Sequence, residues 1–233
     1  MNLHSQFEII GEKGKGDYVM KVLVVGANGQ IGRHLVSLLT NSNEHTVKAM
    51  VRNEEQVQDF QQLGAETVIA NIEGSVESLT DAVKGCDAVV FTAGSGGHTG
   101  FDKTLLVDLD GAAKMIEATE QAGINRFIMV SALQAHQREN WNEAIRPYYV
   151  AKHYADKLLI ASGLSYTIIR PGGLLNEKGT GKVTIAENLQ RGTIPREDVA
   201  ATIAACLGEE NTFRKSFDIV SGDIDIKKAV QSL

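Results

Sequence analysis

Three features of the sequence predict an α/β fold: a doubly wound parallel sheet of about seven strands with a small C-terminal cap. Short apolar, often β-branched runs alternate with amphipathic segments roughly every 20–25 residues, the rhythm of right-handed βαβ units. The runs are nearly all apolar, as strands tend to be when helices cover both faces of the sheet. The first run, Val22-Leu23-Val24-Val25, passes straight into three glycines, Gly26-Ala27-Asn28-Gly29-Gln30-Ile31-Gly32. Ile31, Leu35, Leu38 and Leu39 then recur at helical spacing, so the stretch reads as strand, glycine turn and helix start.

Composition sets the bounds. With 233 residues, 43% hydrophobic and 22% charged, the chain suits one domain able to bury a real core. A net charge of −6 argues against a nucleic-acid-binding surface. Cys86 and Cys206 lie far apart in apolar contexts, which reads as two buried thiols in a reducing compartment. The six histidines are scattered and no Cys/His cluster occurs, so no metal site is expected. No apolar run nears about 18 residues, and no signal core opens the chain. A cytoplasmic protein without a membrane partner is the expectation.

Residues 1–19 differ from the rest. Gly11-Glu12-Lys13-Gly14-Lys15-Gly16-Asp17 is rich in glycine and charge and ends just before Met20 and the first strand. It reads as a flexible N-terminal extension, dispensable or regulatory, ahead of a single domain over 20–233, with Met20 as a candidate start.

The remaining elements follow in order. Residues 46–52 alternate as a second strand. Asn53 is expected to cap the next helix, with Glu54 and Glu55 in its first turn and Gly64 as its stop. Residues 67–70 form a third strand, and Ser75 caps a helix carrying Leu79 and Val83. Residues 87–92 form a fourth strand and run into Ala93-Gly94-Ser95. A long helix over 101–121 ends at Gly123, and residues 126–131 make the fifth strand. A polar loop over 134–147, containing His136, Arg138 and Trp141, precedes a helix over 148–162. The sixth strand, 166–170, breaks at Pro171-Gly172-Gly173. Short extended pieces at 183–185 and 193–195, a helix over 196–207 and a strand at 217–220 complete the pattern. Residues 134–147 and 174–195 are the expected substrate-side elements, the latter contributing to the cap.

In such a sheet, ligands bind beyond the carboxyl ends of the strands. The glycine turn offers backbone N–H groups and the positive end of a helix to a pyrophosphate, which makes Gly26, Asn28, Gly29, Gln30 and Ile31 a candidate dinucleotide cradle. Arg52 follows the second strand, where an acid ordinarily reads the ribose of NAD. A guanidinium there suits a 2′-phosphate, so NADP is expected ahead of NAD. The plain alternative is a solvated Arg52 paired with Glu54 or Glu55, and Arg33 is a second candidate cation. Asn71 and Ile72 are candidates to flank the adenine, while Ala93, Gly94 and Ser95 offer bare backbone to ribose and phosphate.

Tyr148 and Lys152, four residues apart, share one helical face. A nearby ammonium, with the cofactor's own charge, favours tyrosinate and draws the phenol toward neutral pH. Such a phenol can give or take the proton when a carbonyl is reduced or an alcohol oxidised. Ser131, closing the fifth strand, is placed to hydrogen-bond the same oxygen.

Together these residues resemble the short-chain dehydrogenase/reductase superfamily, in its atypical and extended NAD(P)-binding branch of epimerase/dehydratase-like and NmrA-like oxidoreductases, over residues 20–233. The marks are the glycine turn, Ser131, Tyr148-Tyr149-Val150-Ala151-Lys152, Thr167-Ile168-Ile169-Arg170-Pro171-Gly172 and Arg196-Glu197-Asp198-Val199-Ala200. The resemblance implies a Rossmann domain in which Lys152 binds the nicotinamide ribose and Tyr148 is the acid/base. Pro171 and Gly172 would bring backbone near the nicotinamide. The chain departs from the pattern at Val107-Asp108-Leu109-Asp110-Gly111, where extended members commonly carry an Asn. Ala132-Leu133-Gln134 likewise replaces a Tyr-Gly turn, which speaks against a nucleotide-sugar epimerase. The implied function is an NADP(H)-dependent oxidoreductase acting on a small-molecule carbonyl or alcohol. Its rivals are a non-catalytic NADP(H) sensor and a flavin- or quinone-type reductase that uses the same cofactor site without proton help.

Overall fold

Parallel strands need crossover connections, and helices make most of them here, so the sheet grows outward on both sides of its first strand. The computed structural model describes residues 19–42 and 44–233. The expected extension over 1–19 lies outside the described residues, Val19 excepted. The strands are β1 (Met20–Val25), β2 (His45–Val51), β3 (Glu66–Ile69), β4 (Ala88–Phe91), β5 (Arg126–Val130) and β6 (Ser165–Pro171). They continue as β7 (Gly173–Leu175), β8 (Lys182–Ala186), β9 (Thr193–Pro195), β10 (Lys215–Ser221) and β11 (Ile224–Asp225). The helices are α1 (Gln30–Asn41), α2 (Val57–Gln62), α3 (Val76–Val83), α4 (Phe101–Lys103), α5 (Gly111–Gln121), α6 (Arg146–Ala161), α7 (Arg196–Cys206) and α8 (Ile226–Gln231).

The main sheet has nine strands in the order β3-β2-β1-β4-β5-β6-β10-β8-β11. From β3 to β10 the pairing is parallel, and β8 and β11 add antiparallel strands at the edge. The expected count of about seven therefore matches the parallel part alone. Residues 183–185, expected in the cap, join the main sheet through β10, and β11 with α8 had no signal strong enough to separate them from loop. What remains of the cap is the two-stranded β7–β9 sheet.

Alternation along β1 divides the core. Val22 and Val24 pack with Leu35 and Leu39 of α1 and Ile203 of α7. Leu23 and Val25 pack with Leu79, Met115 and Leu159 on the other face. Ser75 caps α3, its side chain accepting the Ser78 N–H at 3.2 Å. Asn53 stands at the head of a 3₁₀ turn but its side chain caps nothing; Gln56 Oε1 instead accepts the Arg52 N–H at 2.9 Å.

The expected helix over 101–121 is interrupted. Between α4 and α5 the residues Thr104–Asp110 wind as a π-helix. Thr104 and Asp108 are buried there while Leu105 and Leu106 face out, the reverse of an ordinary amphipathic helix.

No helix among the described residues is long and apolar enough to cross a membrane. No group of His, Cys, Asp or Glu among them is arranged to hold a metal ion.

A buried arginine ties β5 to the far side of the molecule. Arg126 donates to the carbonyls of Ser165, Cys206 and Leu207 and to Thr167 Oγ1 and Thr212 Oγ1, between 2.6 and 3.3 Å, with its guanidinium 4.5 Å from the centre of the Phe213 ring. Burial lowers its pKa to about 10, and the carbonyls at the negative end of α7 stand in for a carboxylate. Arg126→Met should cost about 3 kcal/mol in urea unfolding, since it leaves buried carbonyls unpaired.

Candidate active site

The strand order reverses between β1 and β4, which opens a crevice at their carboxyl ends. The glycine turn lies there. Gly26 has φ +82°, and a Cβ on it would stand 2.6 Å from the Ala93 nitrogen. A Cβ on Gly32 would stand 2.3 Å from the Gly26 carbonyl oxygen, so helix and strand approach as only glycine permits. Gly29 caps α1 without any side-chain hydrogen bond, and the first turn holds no acid. The Gly29 N–H closes the turn on the Gly26 carbonyl at 2.9 Å, and the remaining N–H groups and positive end of α1 face an unneutralised position. Gly29 and Gln30 are exposed, whereas the Ile31 side chain is in the core and offers only backbone.

Arg33 is committed elsewhere: its Nε donates to Asn28 Oδ1 at 3.0 Å and its Nη2 reaches Asp59 Oδ2 at 3.0 Å. Arg52 is exposed just past β2, and none of the ion pairs among the described residues includes it; the alternative pairing with Glu54 or Glu55 does not form. Asn71 is exposed and shapes its turn by accepting the Glu73 N–H at 3.0 Å. Ile72 is buried against Gly111. The loop after β4 is held at both ends: Ala93 abuts Gly26, and the Ser95 N–H donates to Asp108 Oδ2 at 3.0 Å beside exposed Gly94.

At the other end of the crevice, Lys152 Nζ lies 3.0 Å from Asp108 Oδ1 and donates to the Val130 carbonyl at 3.3 Å. That carbonyl ends β5, one residue before Ser131. The Ser131 N–H is bound to Ile169, but its hydroxyl is buried and has no partner. Tyr148 lies one turn before Lys152 on α6, its ring centre 5.8 Å from Nζ. One turn after Lys152, Asp156 Oδ2 accepts from Arg170 Nε at 2.8 Å, a second fully buried ion pair. Pro171 and Gly172 are already engaged, the Pro171 carbonyl accepting from Leu133 and the Gly172 N–H donating to Ile219.

Burial pushes the Tyr148 phenol above its ordinary pKa; Lys152 pulls it down, and Asp108, Tyr149 and Asp156 push it up again. Burial therefore outweighs the pull of Lys152, which is itself paired with Asp108. For Lys152, burial is the largest influence and lowers its pKa, but Asp108, Tyr148 and Asp156 together raise it on balance. The lysine stays charged.

The expected substrate-side loops do meet. Gln134 Nε2 donates to the Leu189 carbonyl at 2.7 Å, His136 Nε2 lies 2.7 Å from Asn188 Oδ1, and Arg191 Nη2 donates to the Asn140 carbonyl at 2.6 Å. Trp141 is not an open wall: it is buried, stacked on Tyr149 with ring centres 6.0 Å apart.

Asp108 is the residue that sequence reasoning passed over. It stood there only as a departure from an expected Asn. The available signal was a Thr104–Asp108 pair at helical spacing among leucines, matched by the Tyr148–Lys152–Asp156 row on α6.

A family profile described as NAD(P)H-binding matches residues 26–210. The Bacillus subtilis protein named "Uncharacterized sugar epimerase YhfK" is 64% identical over 214 residues, 92% of this chain and all of that one. A Bacillus halodurans structure, provisionally described as an NAD-dependent epimerase/dehydratase, is 46% identical with a TM-score of 0.87, covering 92% of this chain and all of that one. The oxidoreductase ylbE from Lactococcus lactis is 33% identical with a TM-score of 0.84, covering 92% of this chain and 96% of that one.

Gly32→Ala should force the turn apart at the Gly26 carbonyl. Dinucleotide affinity, measured by titration calorimetry, is expected to fall at least about tenfold, which corresponds to roughly 1.4 kcal/mol of misplaced contacts.

Proposed function

The chain belongs to the NAD(P)H-binding family, and from that premise we propose that it is an NADP(H)-dependent oxidoreductase acting on a small carbonyl or alcohol. One observation carries the reading: the buried Ser131 hydroxyl has no partner, one residue past the carbonyl that Lys152 binds, with Tyr148 one helical turn from that lysine. A buried hydroxyl without a partner is costly unless a ligand supplies one.

The bound cofactor would supply hydride chemistry at its nicotinamide. The chain's own residues bind, orient and move the proton. Backbone N–H groups of Gln30 and Ile31 hold the pyrophosphate at the head of α1, with Gly26, Asn28 and Gly29 shaping the turn. Arg52, exposed and outside every ion pair of the described residues, meets the 2′-phosphate. Asn71 and Ile72 border the adenine side, and Ala93, Gly94 and Ser95 pass close to ribose and phosphate. Lys152 holds the nicotinamide ribose, and Pro171 and Gly172 flank the ring. Ser131 donates a hydrogen bond to the substrate oxygen, and Tyr148 transfers the proton to or from it. Residues 134–147 and 174–195 wall the substrate. The same phenol serves an alcohol or a sugar hydroxyl, so sugars belong in any substrate panel.

NADPH consumption over a carbonyl panel, and NADP reduction over alcohols and sugars, test this role. Tyr148→Phe should lower kcat about 100-fold or more, the range of a lost general acid. Unchanged rates would instead favour a flavin- or quinone-type reductase. Arg52→Glu should weaken NADPH binding roughly 10- to 100-fold, the worth of a charge-assisted contact, while NADH binding changes little. An equal loss for both cofactors would refute the 2′-phosphate role.

A second reading, an NADP(H)-sensing protein without turnover, draws on one relative. Photosystem II assembly factor Ycf39 of Synechocystis is 31% identical over 156 residues, 67% of this chain and 45% of that protein. Tight NADPH binding with no turnover on the whole panel would favour it.

A further inference from the structure

The ion pair between Asp108 and Lys152 lies outside the constellation that the family pattern announces. We propose that Asp108 is a positioning residue that orients and neutralises Lys152, and so keeps Tyr148 a phenol, poised to donate a proton rather than to accept one. The role of Tyr148 as donor rests on the function proposed above; the electrostatic arrangement does not.

Three observations carry it. Asp108 and Lys152 are both shut from water, their side chains 1% and 5% exposed, and 3.0 Å apart, so that the carboxylate lies in direct contact with the ammonium it balances. The second carboxylate oxygen accepts the Ser95 N–H at 3.0 Å, so the carboxylate has little freedom to turn. Asp108 sits in the π-helical segment, and π turns in a helix frequently mark functional positions. An Asn at 108 would keep hydrogen-bonding capacity but not the charge.

The balance around the phenol can be counted. Lys152, Asp156 and Tyr149 share its helix, Asp108 faces it from the π segment, and Arg170 of β6 is paired with Asp156. Two cations meet two carboxylates, so no net positive charge draws the phenol toward ionisation. Burial then favours the protonated form. In the donating step the Oη–H bond breaks as an O–H bond forms on the substrate oxygen, and the phenolate takes its proton back from water. Removing the Asp108 charge leaves one cation in excess beside the ring.

The experiment is an ultraviolet titration of tyrosinate absorbance in the cofactor-free full chain, with the Tyr148→Phe spectrum subtracted at each pH to isolate one phenol. Wild-type Tyr148 should remain protonated beyond the ordinary tyrosine value of 10. Asp108→Asn should lower its midpoint by at least about one unit, a tenfold loss of proton affinity. Asp108→Asn combined with Lys152→Met removes both charges, a change that buried pairs often tolerate, and should leave the midpoint near wild type. A wild-type phenol that ionises below 10 overturns the proposal, as does a midpoint that Asp108→Asn leaves unchanged or raises. A double variant that shifts it by more than about one unit does the same. No turnover enters these readings, so a failure here is distinct from equal NADPH rates for wild type and Tyr148→Phe.

Discussion

A lysine ammonium held out of water at the crest of a sheet must have a counter-charge within a few ångströms, and this demand organises one end of the crevice. Lys152 meets it with Asp108 and spends a further hydrogen bond on the last carbonyl of β5. The carboxylate in turn fastens the loop after β4 through Ser95. Three stretches, the β4 loop, the π segment and α6, are therefore fixed by one pair of charges.

The opposite end of the crevice depends on sterics instead. Gly26 and Gly32 let backbone approach backbone at distances that any Cβ would forbid. This closeness aims the uncapped head of α1 outward between β1 and β4. One end of the site is thus defined by the absence of side chains and the other by buried charge. That division suits a ligand whose two halves differ, a charged diphosphate at one end and a reacting ring at the other.

Local signals made the first of these ends legible in the sequence. A glycine triplet between an apolar strand and an amphipathic helix is read within a dozen residues, and so is Arg52 directly after β2. The parallel strands were readable for the same reason, since each carries its own apolar run. Pairings decided across the chain were not. β8 and β11 join the sheet edge through β10, and nothing in five or two residues announces an antiparallel partner. The charge balance around Tyr148 was only half legible likewise: Lys152 is visible four residues away, whereas Asp108 arrives from another helix. Trp141, read as part of a substrate wall, is held instead by stacking on Tyr149 and by its indole N–H, which donates to the Ala135 carbonyl at 3.2 Å.

The π-helical turn has a consequence for how this segment tolerates change in length. A π turn carries about one residue more than an α turn, so losing Leu109 would repair the helix, improving its regularity. The same deletion would rotate the preceding side chains by about 100° relative to α5, swinging the position of Asp108 off the face that meets Lys152. Local helix quality and the integrity of the site are therefore opposed in these seven residues. The imperfect geometry is the one that keeps the charges in register.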